Sequence, residues 1–188
     1  MKLEGECIMD IIKKTVCVAS LIAVFILASS VNVMGAEYSV GSGNDSWWTT
    51  YPEQSTGAGG EVNHPAWVLD ALKSKPVVVY AHKGCSYCAP QTEAMGKIES
   101  EMGNKFTYFN LSADGSDARS EEALRAYDPN GGSMYVPLTV IVTLAPNSEG
   151  KVVPVWHSTD MVTGYDWTRK YIEDASVYYN ENSVNWNK

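Results

Sequence analysis

The stretch PVVVYAHKGCSYCAP, residues 76–90, decides the fold. Val77 to Ala81 is a short β-branched run, the pattern of a strand buried on both faces. Cys85 and Cys88 follow it, three positions apart. Then Met95, Ile98 and Met102 recur at helical spacing, with Gly103 as a stop. A strand that runs through a cysteine pair into a helix suits a redox couple, half of a metal site, or a disulfide that only holds a turn.

Upstream, NHPAWVLDALKSKP (63–76) reads as a short helix, with Asn63 or His64 near its cap, Pro65 in its first turn and Pro76 ending it. Downstream, KFTYFNLS (105–112) alternates as a strand does, and SDARSEEALRAY (116–127) is a polar helix that offers Leu124 and Tyr127 to a core. DPNGG is a turn, and Val136 to Leu144 is a second apolar strand. After APNSEG, KVVPVWH (151–157) can return antiparallel to it, as an edge because of Pro154. YDWTRKYIEDASVYY (165–179) sets Trp167, Tyr171, Ala175 and Tyr178 on one helical stripe. Strands alternating with helices argue for a β-α-β unit, closed here by an antiparallel pair. His157 at a strand end and the charges from Asp114 to Glu122 read as solvated surface.

Residues 1–36 have a different character. Lys13 and Lys14 precede a stretch without charge from Thr15 to Ala36, ending in small residues, which is the grammar of a signal peptide or, if uncleaved, a membrane anchor. Small and polar residues crowding its end favour cleavage, after Ser30, Gly35 or Ala36. A start at Met9 would give a more ordinary basic flank and remove Cys7. Both readings place the remainder outside the cytoplasm, where Asn44 and Asn110 stand in formal glycosylation triplets. Cys7 and Cys17 fall within or before this segment, so a processed chain keeps only Cys85 and Cys88. Residues 37–63 form an irregular Gly/Ser/Thr-rich lead-in, whose Trp47 and Trp48 are expected to tuck against the domain. The domain itself is expected over 64–180, with a tail over 181–188. The net charge of -8 and the lack of a basic patch argue against nucleic acid as a partner.

Residues 65–179 resemble the thioredoxin superfamily. The residues carrying the likeness are PVVVYAHKGCSYC, YVPLTVIV with Pro137, and Gly164 before the last helix. The resemblance implies an α/β, thioredoxin-like fold: one domain with a central mixed sheet flanked by helices. It implies that Pro137 is in the cis form against the cysteines, and that Val136, Pro137 and Tyr87 form the substrate-peptide site. The chain departs from thioredoxins proper in two places. Val79 stands where they carry a buried acid, and Gly84 where they carry Trp. CSYC is nearer the glutaredoxin Cys-Pro-Tyr-Cys, and a Tyr between the cysteines also occurs in bacterial periplasmic disulfide isomerases. The glutaredoxin Gly-Gly for glutathione is missing from VTGYDW. Pro90 would cost a hydrogen bond in a helix starting at Cys85, so the helix is expected to start nearer Ala89.

The pair has its own chemical logic. Only a thiolate attacks a disulfide, and a free cysteine has a pKa of about 8.5, so the attacking thiol must be tuned downward. A helix N-terminus supplies that tuning, and His82 and Lys83 either add positive charge beside Cys85 or simply point to solvent. Cys85 is then the nucleophile and Cys88 the resolving thiol. A tetrahedral zinc site needs four ligands, whereas here one pair accompanies the scattered His64, His82 and His157. A passive disulfide over so short a loop would constrain little of the unfolded chain.

These residues point to a thiol-disulfide oxidoreductase that needs neither metal nor organic cofactor. Its partners would be protein thiols or disulfides and a separate redox partner, with a membrane involved only if residues 1–36 stay attached. The competing expectation is a redox-inactive binding protein of the same fold with a passive Cys85–Cys88 disulfide.

Overall fold

A computed structural model of the chain describes residues 35–186. Except for its last two positions, the expected targeting segment, with Cys7 and Cys17, lies outside the described residues. Among the described residues, no helix is long and apolar enough to cross a membrane.

In chain order the elements are α1 (Ala66–Leu72), β1 (Val77–His82), α2 (Ala89–Met102), β2 (Thr107–Ser112), α3 (Ala118–Tyr127), β3 (Leu138–Pro146), β4 (Val152–Thr159) and α4 (Gly164–Asn182). The strands form one mixed sheet in the order β2-β1-β3-β4. β1 runs parallel to β2, while β3 is antiparallel to both β1 and β4. Successive side chains of β1 point to opposite faces. Val77, Val79 and Ala81 meet Leu72 of α1 and Leu124 and Tyr127 of α3. Val78 and Tyr80 meet Met95, Ile98 and Met102 of α2 and Tyr171 and Ile172 of α4. With helices on both faces, β1 is buried at every position from Val77 to Ala81, without alternation. The architecture is thioredoxin-like.

Local chemistry sets the element ends. α2 begins at Ala89 with Pro90 in its first turn, where an N–H has no intrahelical partner to lose. Gly103 does end α2, but with φ -60° it stays right-handed and leads into a 3-10 turn, Gly103–Lys105, instead of forming a left-handed cap. β3 starts at Leu138, two residues later than the apolar run, because Val136 and Pro137 are joined by a cis bond ahead of it. β4 carries Pro154 at the edge of the four-stranded sheet.

The lead-in is irregular in backbone yet belongs to the core. Trp47 and Trp48 are both buried, and as neighbours in an extended segment they enter opposite faces of the sheet. Trp48 exchanges two backbone hydrogen bonds with Trp156 of β4, at 2.8 and 3.0 Å. Part of the open edge is thereby covered.

His157 corrects the surface reading. It is only 4% exposed. Its ring stacks between Trp48 and Tyr171, with centroids 4.2 Å away on each side. Nδ1 lies 2.8 Å from the Ser46 carbonyl and donates to it. β4 is buried at every position from Val155 to Ser158, and the polar ring is accommodated there because the lead-in supplies both an aromatic lid and an acceptor. Burial pushes its pKa from 6.5 down to about 4, against the opposing pull of the Ser46 carbonyl and Asp45. An unfolded chain therefore takes up a proton near pH 6.5 that the fold refuses. The stability involved is complete above pH 6.5 and is lost as the pH falls towards about 4, a change of about 3 kcal/mol. Urea unfolding of wild type and His157→Gln across this window checks it. The variant should lose less stability on acidification, whereas parallel pH slopes would contradict the assignment. His64, also pushed down by burial, keeps its own slope in both proteins.

Candidate active site

Cys85 and Cys88 occupy the turn between β1 and α2 and are paired as a disulfide, with Cα atoms 5.3 Å apart. Cys85 is half-buried, while Cys88 is 1% exposed. The turn is held by Cys85 N–H donating to the Lys83 carbonyl at 2.8 Å and Cys88 N–H donating to the Cys85 carbonyl at 3.1 Å. Cys88 is the residue immediately before α2, so the pair precedes the helix and Cys85 lies beyond its first turn. The free N–H groups and the positive dipole end of α2 face this turn. A Cβ built on Gly84 would meet nothing within 4 Å. The approach beside Cys85 is thus open where a Trp would close it.

Beneath Cys88 lies a pair of hydroxyls that the sequence alone did not reveal. The buried Tyr80 donates its hydroxyl to the Cys88 carbonyl at 3.1 Å, and Thr92 Oγ1 donates to the same oxygen at 2.9 Å. The two hydroxyls are 2.8 Å apart. Burial raises the Tyr80 pKa, with Thr92 pulling the other way, so Tyr80 stays a neutral donor at physiological pH. Val79, at the position of the thioredoxin acid, is fully buried and apolar. Tyr80 therefore places the polar group of this strand under the resolving position, one residue further on.

The remaining expected site residues gather at the same end of the sheet. Ala81 pairs with Leu138, and Thr139 with both Tyr80 and Thr159. The loops leaving β1, entering β3 and leaving β4 therefore share one edge. Pro137 is buried, Val136 is half-buried, and the bond between them is cis. Tyr87 is 79% exposed. Exposed large apolar side chains concentrate here: Tyr87 in the cysteine turn, Met134 and Tyr135 before the cis bond, and Met161 and Val162 before α4. Next to them is a cavity of about 250 Å³ whose lining includes Lys83, Glu121, Leu124, Met134 and Val136. His82 is engaged by β1 and β2. Its Nε2 lies 2.8 Å from Asn110 Oδ1 on β2, and its ring stacks on Tyr80.

Among the described residues, no three His, Cys, Asp or Glu side chains gather as a metal-ligand group. His64 bonds Tyr127 and His157 bonds Ser46, each away from the cysteines.

Fold and site together define a thioredoxin-like α/β domain with a paired Cys-x-x-Cys at the end of its first core strand. No family model matches the chain, and no curated protein does. Among solved structures, a thioredoxin from Thermus thermophilus is similar to it at 22% identity and a TM-score of 0.36, over 57% of this chain and 78% of that one.

Proposed function

We propose that this protein is a thiol-disulfide oxidoreductase acting on protein disulfides outside the cytoplasm through a Cys85/Cys88 dithiol-disulfide cycle. The observation that carries this reading is the asymmetry of the pair: Cys85 is reachable and Cys88 is buried, at the start of a helix and among exposed apolar loops. In the reducing direction, the Cys85 thiolate attacks a substrate disulfide. A mixed disulfide forms and the first substrate sulfur leaves as a thiolate. Cys88, once deprotonated, attacks the Cys85 sulfur and releases the second substrate thiolate, leaving the Cys85–Cys88 disulfide. Two electrons have then passed from the dithiol to the substrate, and a separate redox partner must return them. The oxidising direction is the same sequence reversed. Val136 and Pro137 would seat the extended substrate chain, and Tyr87 would contact it from the cysteine turn. An extracytoplasmic setting rests on the signal-like segment, and a membrane enters only if that segment remains attached.

Insulin reduction under a thiol donor tests the proposal with wild type and the Cys85→Ser/Cys88→Ser double variant. Wild type should accelerate insulin precipitation, and the double variant should match the thiol blank. Equal rates across a range of redox buffers would sink the enzyme reading and leave the passive disulfide of a binding protein.

A further inference from the structure

Gln91 lies one helical turn after Cys88, in phase with the apolar stripe Met95, Ile98 and Met102, and it is fully buried. A buried carboxamide is costly unless both its ends are partnered. Here the oxygen accepts the N–H groups of Thr163 and Gly164, at 3.0 and 2.9 Å. The nitrogen reaches Thr139 Oγ1 at 3.4 Å and Thr168 Oγ1 at 3.3 Å. One side chain thus joins the first turn of α2, the start of β3 two residues after the cis bond, and the first turn of α4.

The α4 end of this arrangement has no local substitute. Thr163 precedes α4 without capping it, and its hydroxyl is buried with no partner. Gly164 turns the chain into the helix at φ +77°, in the left-handed region that other residues avoid. The unsatisfied N–H groups of a helix start need an acceptor, and Gln91 supplies it from another helix. Just ahead of this anchor stand the exposed Met161 and Val162.

We infer that Gln91 is a positioning residue for protein substrates: its carboxamide holds the Met161–Val162 loop in register with the dithiol, so that a chain bound at Cys85 meets both. This inference rests on the proposed thiol-disulfide exchange and adds to it the device that sets affinity for a polypeptide. Gln91 touches neither sulfur in this role. Its loss should be felt in binding of a long substrate and not in attack on a small one.

Steady-state kinetics on wild type, Gln91→Leu and Gln91→Glu test this, with insulin as the protein disulfide and 5,5'-dithiobis(2-nitrobenzoate) as the small one. Gln91→Leu removes the acceptor and should raise the KM for insulin about tenfold while changing kcat, and the rate with the small disulfide, by less than about twofold. Gln91→Glu keeps an acceptor for both N–H groups and should restore a KM near that of wild type. A purely structural role would instead lower kcat on both substrates through loss of active protein, with KM unchanged. If Gln91→Leu fails to fold, Gln91→Asn replaces it, since its shorter amide cannot reach both α4 and β3, and the same rise in KM is expected. Loss of fold in both variants, or an unchanged KM in an active enzyme, overturns the positioning role alone. A wild type that exchanges no disulfide removes the proposed function and this role with it.

Discussion

Cys88→Ser will turn the protein into a trap, accumulating mixed disulfides through Cys85, whereas Cys85→Ser will form none. The reason is access. Cys85 is half-buried beside an open Gly84, while Cys88 is covered and its carbonyl is fixed by Tyr80 and Thr92. A substrate sulfur can reach only the first of them. Resolution then depends on a thiol already in place, and replacing it by one from solution forfeits an effective concentration of about 10⁵ M or more. The trapped species should therefore outlive the wild-type intermediate by at least about a thousandfold. Non-reducing gels and mass spectrometry of each single variant, mixed with a disulfide-bonded protein, read this directly. Adducts on Cys88 in the Cys85→Ser protein, with none in Cys88→Ser, would reverse the assigned roles.

The same asymmetry shows how much of the site was legible in sequence. The strand, the pair and the helix start at Ala89 follow from local rules: β-branched composition, spacing of three, and a proline that belongs in a first turn. Pro137 is legible only through resemblance, because neither periodicity nor composition distinguishes a cis bond. Tyr80 was hidden inside an apolar run, where a tyrosine reads as one more large side chain. Gln91 did leave a signal, as a polar residue in phase with Met95, Ile98 and Met102. Its meaning lay in partners up to 77 positions away. His157 reads as surface for the same reason. Its acceptor, Ser46, is 111 positions distant, and a single chain read locally shows no lid over a histidine at a strand end.

A chain beginning at His64, where sequence alone starts the domain, should fail to hold the fold. Trp47 and Trp48 lie before that boundary, and each is essentially without solvent contact. Trp48 packs edge-on against Trp156 with centroids 4.9 Å apart, and Trp47 packs edge-on against Tyr171 at 5.5 Å. Removing one buried Trp side chain costs about 3–5 kcal/mol, so losing both approaches the whole of the roughly 5–15 kcal/mol that a domain of this kind possesses. The shortened chain also uncovers the β4 edge that Trp48 pairs, and it takes Ser46 away from His157. Trp48→Ala in the longer chain isolates the first of these effects and should cost about 3–5 kcal/mol in urea unfolding. The shortened chain should show no cooperative thermal transition by near-ultraviolet circular dichroism. A cooperative melt at the temperature of the longer chain would mean that these tryptophans cover a core able to stand without them. The same melt with Trp48→Ala near neutral would remove the lead-in from the folding unit altogether.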